Sequence, residues 1–306
     1  LLGPRPPVVF GVDFAGVVTA VGSRVHTIKV GDHVVGGTDF SRGQRGSQAD
    51  TVLVREDQVA VLPPGFDLEL AAALPVAGVT AYRCIVEVGR LGPGQRALIL
   101  GASGGVGQLA VQFAVDRGGT VWFGRDDVGL RRIRPGMREE EAVALAMENR
   151  HIRALYFDAD GQLWIGAEKG LYCLRQGQRV EVPGSDALRD TNVRVIHRDK
   201  EGALWVGTSG SGLCRLMDGK PVWFGKNDGL ADLKVYSIHE DEEGDLWFGT
   251  EGGLTLHRSG KLMSANRTNG LRENVINLIL ERDGQLYLAG LRGVHRIPRR
   301  ELKIAL

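Results

Sequence analysis

The chain has 306 residues, with 38 basic and 37 acidic side chains, a net charge of +1 and an apolar fraction of 43%. Length suggests about two domains, and composition is that of an ordinary globular protein with enough apolar residue to bury a core. Bulk charge does not point to nucleic acid or to an anionic membrane, and no apolar run approaches the about 20 residues of a membrane-spanning helix.

The chain opens Leu1-Leu2-Gly3-Pro4, without an initiator Met or a signal pattern, and reads as cut into the middle of a domain. Short β-branched or apolar runs follow at residues 8–10, 16–21, 34–35, 52–55 and 59–62, and Pro63-Pro64-Gly65 stops the last. They predict a small, irregular β-barrel-like domain. Residues 68–74 and 79–88 then have a helical pattern, and Gly92-Pro93-Gly94 makes a turn.

Residues 96–100, Arg-Ala-Leu-Ile-Leu, form a short buried-strand run that feeds Gly101-Ala102-Ser103-Gly104-Gly105-Val106-Gly107, and a helical pattern follows over 108–114. Strand, glycine turn and helix start make one physical unit. Glycines let the backbone turn sharply and let a pyrophosphate come close, and the free N–H groups of the helix start favour its charge.

The segments at 11–25 (GVDFAGVVTAVGSRV), 30–36 (VGDHVVG), 72–82 (AALPVAGVTAY) and 101–114 (GASGGVGQLAVQFA) resemble the medium-chain dehydrogenase/reductase superfamily, and most of all its zinc-independent quinone and enoyl reductases. The resemblance implies a GroES-like β domain over 1–90, the start of a Rossmann domain over 91–114, and NADPH-dependent reduction of a quinone or an activated double bond. Gly101, Ser103, Gly104, Gly105, Val106, Gly107 and Thr80 are its cofactor-side candidates, with Tyr82 nearby; for Thr80 and Tyr82, simple helix packing is an equal reading. The zinc-dependent members carry Gly-His-Glu where this chain has Gly11-Val12-Asp13, and Val12 cannot ligate a metal. The four structural cysteines of those members are also missing, so no zinc is expected in either role. No acid/base pair or nucleophile stands out as catalytic.

From residue 115 a different pattern takes over. Trp122, Trp164, Trp205, Trp247 and Tyr287 are spaced 42, 41, 42 and 40 residues apart. Each has a glycine three residues before it (Gly119, Gly161, Gly202, Gly244, Gly284) and an acid six before it (Asp116, Asp158, Asp199, Asp241, Glu281). A small residue stands two after it (Gly124, Gly166, Gly207, Gly249, Ala289), and a Gly-Leu or Gly-Val pair follows. Alternating strand, tight turn, Leu-Trp-aliphatic-Gly strand and second glycine turn, every 40-odd residues, is the blade period of a β-propeller. The acids read as hairpin chemistry before they read as a binding ring. The first repeat has lost its leading strand or borrows one, and residues 137–150 look helical.

Residues 193–216 and 235–257 resemble the two-component-regulator propeller repeat of bacterial hybrid sensor kinases. That resemblance implies ligand sensing outside the cytoplasmic membrane, with an unidentified small molecule as partner. His197 and His239 share the position eight before the Trp, with Tyr156 and Ile279 there in other repeats, which favours packing over a metal or ligand site. Cys84, Cys173 and Cys214 lack metal-ligand spacing and read as buried or half-buried thiols. Arg299 and Arg300 read as solvated surface.

The fold expected is therefore mostly β: an incomplete GroES-like barrel, the first β-α unit of a Rossmann sheet, and a partial propeller of about five blades over 115–306. Residues 115–125 satisfy both patterns at once. One parent belongs in the cytoplasm and the other outside the inner membrane, so the join reads as a chimeric or misassembled frame more readily than as an evolved fusion. The leading functional expectation is a non-catalytic sensing module; the rival is an NADPH-dependent quinone or enoyl reductase.

Overall fold

A computed structural model describes residues 9–39, 46–102, 104–125, 129–137, 139–143 and 151–305. The chain divides into two compact units, Leu1–Val121 with Arg134–Met137, and Trp122–Ile133 with Arg138–Leu306.

In the first unit, β1 (Asp13–Val17), β2 (His33–Gly37) and β3 (Val59–Val61) form an antiparallel sheet in that order. Residues 9–10 and 52–55, expected as strands, are not strands; residue 8 lies outside the described residues. Leu53 is 93% exposed: β-branched composition alone does not make a strand where no neighbouring strand is there to pair with it. Just beyond β1 the pairing continues, with Val18 N–H donating to the Asp32 carbonyl and its own carbonyl accepting from Gly31 N–H. Asp67 caps α1 (Leu68–Ala72), accepting from the N–H groups of Glu69 and Leu70. Helix α2 (Pro75–Tyr82) starts with proline in its first turn and runs on as a π-helical turn, Arg83–Val88. Strand β4 (Arg96–Ile99) and α3 (Gly105–Asp116) then succeed one another as the glycine motif predicts.

Strand β5 (Thr120–Arg125) is followed by β6 (Gly129–Ile133) and β7 (Glu141–Ala142), and the sheet order is β4-β5-β6-β7. The first Trp strand thus takes β4 as its neighbour, which settles the choice between a lost and a borrowed leading strand. The division between the units falls inside β5, at Val121 and Trp122. The helix expected over 137–150 is corrected at Glu141–Ala142, which pairs with Arg131 and Arg132 on β6; residues 144–150 lie outside the described residues.

Three four-stranded antiparallel sheets come next: β8 (Ile152–Phe157), β9 (Leu163–Ala167), β10 (Leu171–Arg175) and β11 (Gln178–Val180); β12 (Val193–Arg198), β13 (Leu204–Thr208), β14 (Leu213–Met217) and β15 (Lys220–Phe224); β16 (Val235–Glu240), β17 (Leu246–Thr250), β18 (Leu254–Arg258) and β19 (Lys261–Ala265). A three-stranded sheet, β20 (Leu278–Arg282), β21 (Gln285–Gly290) and β22 (Gly293–Pro298), closes the series, and α4 (Arg299–Ala305) comes after it. The protein is mostly β, with one sheet for each repeat.

The sheets stack with a fixed polarity. Trp164 lies in one core with Val193, Ile196, Leu204 and Val206 of the next sheet. Trp205 lies with Val235, Leu246 and Phe248, and Trp247 with Ile279, Leu286 and Leu288. Trp122 meets Phe157 edge-on, with ring centroids 6.1 Å apart. The small residue two after each Trp marks where the next sheet comes closest. A Cβ at Gly124 would strike Ile152, at Gly166 Val193, at Gly207 Val235 and at Gly249 Ile276. Repeat spacing, glycine and aromatic ring thus serve a single contact, made four times.

Candidate functional sites at the glycine turn and the propeller turns

At the glycine turn, Gly101 has φ +73°, a conformation that favours glycine, and its carbonyl accepts from Gly104 N–H at 3.0 Å. A Cβ at Gly107 would collide with the Gly101 carbonyl oxygen and the Ala102 backbone, so the helix can start this close to the strand only with glycine there. A Cβ at Gly101 would meet nothing within 4 Å, and one at Gly105 only the Ala77 methyl at 3.8 Å. The turn therefore presents an open, glycine-lined face at the N-terminus of a twelve-residue helix, which suits a phosphate. Val106 is 38% exposed. Ser103 lies outside the described residues. Thr80 is on the exposed side of α2, while Tyr82 sets its ring edge-on against Phe113 of α3 at 5.6 Å, the packing alternative. Asp13 accepts from Val76 N–H at 3.1 Å and so caps α2. Among the described residues, no three His, Cys, Asp or Glu side chains gather as metal ligands would.

Beyond the glycine turn the chain departs from a dinucleotide fold. β4, α3 and β5 succeed one another, and β5 lies beside β4. Only residues 126–128 link β5 to β6. A parallel crossover needs a dozen residues or more, so β6 must return antiparallel, and the Rossmann pattern ends at its second strand. The parts that would hold a nicotinamide come from strands further on in such a sheet. The glycine turn fits a phosphate, and the strands on either side of it lie in one sheet in the order β4-β5-β6-β7.

In the propeller the repeated acids prove to be turn chemistry. Asp158 accepts from Trp164 Nε1 at 2.9 Å and from Gln162 N–H at 2.9 Å. Asp199 accepts from Trp205 Nε1 at 2.7 Å and Ala203 N–H at 2.8 Å; Asp241 accepts from Trp247 Nε1 at 3.0 Å and Asp245 N–H at 3.0 Å. One carboxylate thus holds the hairpin closed and satisfies the buried indole. Burial by itself would push Asp158 and Asp241 up; the N–H donors, with Arg198 at Asp158 and Lys303 at Asp241, outweigh it and hold both carboxyls below the usual range.

The first and last repeats depart from this rule. Trp122 Nε1 is buried without a hydrogen-bond partner among the described residues; its expected acid, Asp116, ends α3 instead of a leading strand, and its side chain lies outside the described residues. In the last repeat, Glu281 pairs with Leu286 just as Glu240 pairs with Leu246, so Glu281 is the counterpart of Glu240 and not of Asp241. The hairpin there is shorter, turning on Asp283 and Gly284 with φ of 52° and 67°. The shift also puts Leu280, not Ile279, at the position of His197 and His239.

Those histidines tie sheet to sheet. His197 Nε2 lies 3.1 Å from Glu240 and His239 Nε2 2.9 Å from Glu281, in each case on the next leading strand. Tyr156, at the same position one sheet earlier, packs its ring 5.9 Å from that of His197. Spacing missed the cations that complete the turns. Arg198 reaches back to Asp158 and Asp160 at 3.1 Å each. Lys303 of α4, 6% exposed, lies 2.7 Å from Asp241 and 3.0 Å from Glu243 and also bonds Asp245. Arg299 is not solvated surface as expected: it is 14% exposed and lies 2.7 Å from Glu281. No sequence signal marks α4, which lies outside the repeat. Cys173 and Cys214 are free and buried, and burial pushes both thiols up to about 11; Cys84 is exposed, contrary to expectation.

Comparison with known proteins agrees with this division. Residues 2–64 match the alcohol dehydrogenase GroES-like domain, and residues 147–169, 187–210 and 229–252 match the two component regulator propeller. The 2-methylene-furan-3-one reductase of Solanum lycopersicum is 42% identical over 112 residues, 35% of this chain and 29% of that protein. The quinone oxidoreductase from Coxiella burnetii is 32% identical over 40% of this chain and 38% of that one, with a TM-score of 0.37. The extracellular domain of a putative hybrid two component system from B. thetaiotaomicron covers 59% of this chain and 25% of that one, at 25% identity and a TM-score of 0.51. The chain spans less than a third of these curated relatives, 29% of the tomato reductase and 24% of another. By fold, then, this is a barrel fragment and nucleotide-turn unit followed by propeller sheets. The chain joins a segment that matches the alcohol dehydrogenase GroES-like domain to repeats that match the two component regulator propeller. No helix among the described residues is long and apolar enough to cross a membrane.

Proposed function

We propose that the chain is a non-catalytic binding or sensing module, carried by its propeller repeats and fused to a reductase remnant. The observation that supports this reading is that β5 and β6, only three residues apart in the chain, lie side by side in one sheet, too short a separation for a parallel crossover. In this reading residues 1–90 are a truncated GroES-like domain, 91–114 the start of a Rossmann domain and 115–306 the propeller. The ligand is a small molecule held at one end of the stacked leading strands, and neither zinc nor productively bound NADPH takes part. The propeller parent belongs in the periplasm and the reductase parent in the cytoplasm, which favours a chimeric frame over an evolved fusion. NADPH titrated into the full chain is expected to leave tryptophan fluorescence and melting temperature unchanged. A saturable shift in both would overturn the remnant reading.

The second reading is an NADPH-dependent quinone or enoyl reductase, favoured by the open face of the glycine turn at Gly101, Gly104 and Gly105. In that class hydride passes directly from cofactor to substrate, so Thr80, Ser103, Val106 and Gly107 would act by positioning. Oxidation of NADPH by the purified chain with a quinone would establish it.

A further inference from the structure

The leading strands of three consecutive sheets carry a β-bulge at the same place. The register slips between Ile152 and Ala154 in β8, between Val193 and Val195 in β12, and between Val235 and Ser237 in β16. The first residue of each pair is the one that meets the close-approach glycine of the sheet before. The residue between the two drops out of the ladder, and a bulge of this kind re-aims its side chain. Those residues are Arg153, Arg194 and Tyr236, and the fifth sheet has Asn277 at the same place, next to Ile276. Ile152, Val193, Val235 and Ile276 are buried, whereas Arg153, Arg194 and Asn277 are exposed and Tyr236 is half-buried. Packing between sheets accounts for the first row and makes no demand for hydrogen-bonding side chains in the second.

The second row is in contact from sheet to sheet. Arg194 Cζ lies 4.7 Å from the centre of the Tyr236 ring, one sheet on. A guanidinium over an aromatic ring keeps its charge and its donors and gives up part of its freedom. The cations around it have acids of their own. Arg153 pairs with Glu168 at 2.9 Å, Lys234 with Glu251 at 2.6 Å and Arg198 with Asp158 at 3.1 Å. Arg194 differs: among the described residues no carboxylate pairs with it. The row therefore offers one uncompensated positive charge, on a planar fork whose parallel N–H groups match the two oxygens of a carboxylate. One free charge balances one carboxylate, whereas a doubly charged phosphate would be left half matched. We propose that the ligand of the propeller carries a carboxylate and that Arg194 binds it, with Tyr236 holding the guanidinium in place. This rests on the sensing reading above and gives its ligand a chemical class.

Saturation-transfer NMR on the full chain, without NADPH and at fixed ionic strength, tests the assignment. The probes are propionate and benzoate, each set against its uncharged amide. Saturable binding of at least one carboxylate, and of neither amide, is expected. Arg194→Gln should weaken that binding about tenfold or more, the worth of a charge-assisted pair. Arg194→Lys keeps the charge but not the fork, and should weaken it too. Arg189→Gln, at an exposed arginine already paired with Asp186, should bind as the parent does. Arg194 is exposed, so its variants should keep the far-UV circular dichroism of the parent. An amide that binds as tightly as its acid, or an Arg194→Gln chain that binds carboxylate undiminished, would overturn the role of Arg194 and leave the sensing reading standing. A parent that binds neither carboxylate would overturn the ligand class. The sensing reading itself is tested separately, by the NADPH titration.

Discussion

At the scale of single residues, the acid–indole pair is the unit that makes each hairpin. Trp205 hands its N–H to Asp199 at 2.7 Å, whereas Trp122 keeps a buried N–H with no acceptor among the described residues. Phenylalanine removes similar volume at both positions, but a hydrogen bond only at Trp205. Trp205→Phe is therefore expected to cost about 1–3 kcal/mol more than Trp122→Phe in urea unfolding. The same groups set a pH dependence. Asp158 and Asp241 are lowered in the folded chain, so their stabilisation is whole above the unfolded value of about 3.9 and fades as pH falls through the folded value. For Lys303, burial opposes the charge, but its three carboxylate partners prevail and raise it. Its contribution is whole below about 10.4 and is lost as pH rises through the folded value. Urea midpoints should decline at both ends of the pH range, and Lys303→Met should flatten the alkaline decline and, by taking a cation from Asp241, part of the acid decline as well.

At the scale of elements, α4 acts as a clasp. Leu302 enters the core beside Trp247 and Leu286, while Arg299 and Lys303 reach Glu281, Asp241, Glu243 and Asp245. Removing residues 299–306 takes a buried aliphatic and two cations from one place, and should cost about 2–5 kcal/mol, with faster hydrogen exchange in β20–β22. At the glycine turn, Gly107→Ala forces a Cβ on the Gly101 carbonyl and should lower the melting of the first unit while leaving that of the second unchanged. Legibility in the sequence varies for physical reasons. The Trp strands can be read because a ring, a turn acid and a close-approach glycine recur at fixed offsets, and each answers a local need. Spacing misaligns Glu281 because a two-residue hairpin shortens the repeat while the acid count stays the same. The strand expected at 52–55 fails because pairing depends on a distant neighbour. Arg198, Arg299 and Lys303 are invisible as site residues because their partners lie far away in the chain, 40 residues off in the case of Arg198 and Asp158.

At the scale of the molecule, β5 belongs to two patterns, and the boundary between the compact units runs through it. The first unit has a small core and many exposed aliphatics and aromatics, among them Phe10, Leu53 and Val88. The second buries a continuous series of cores from Trp164 to Leu302. Calorimetry is expected to show two transitions, the lower from the first unit, since burial per residue sets the margin of stability. One cooperative peak would mean that β5 couples the two.

The one-way stacking of the sheets bears on how the protein is made. Translation delivers the chain from its N-terminus. Each newly emerged blade therefore offers its aromatic side to the blade that the ribosome has yet to release, and assembly can advance in the order of synthesis without waiting for the far end. A nascent chain stalled within the propeller repeats would then end on a bare ring awaiting its cover.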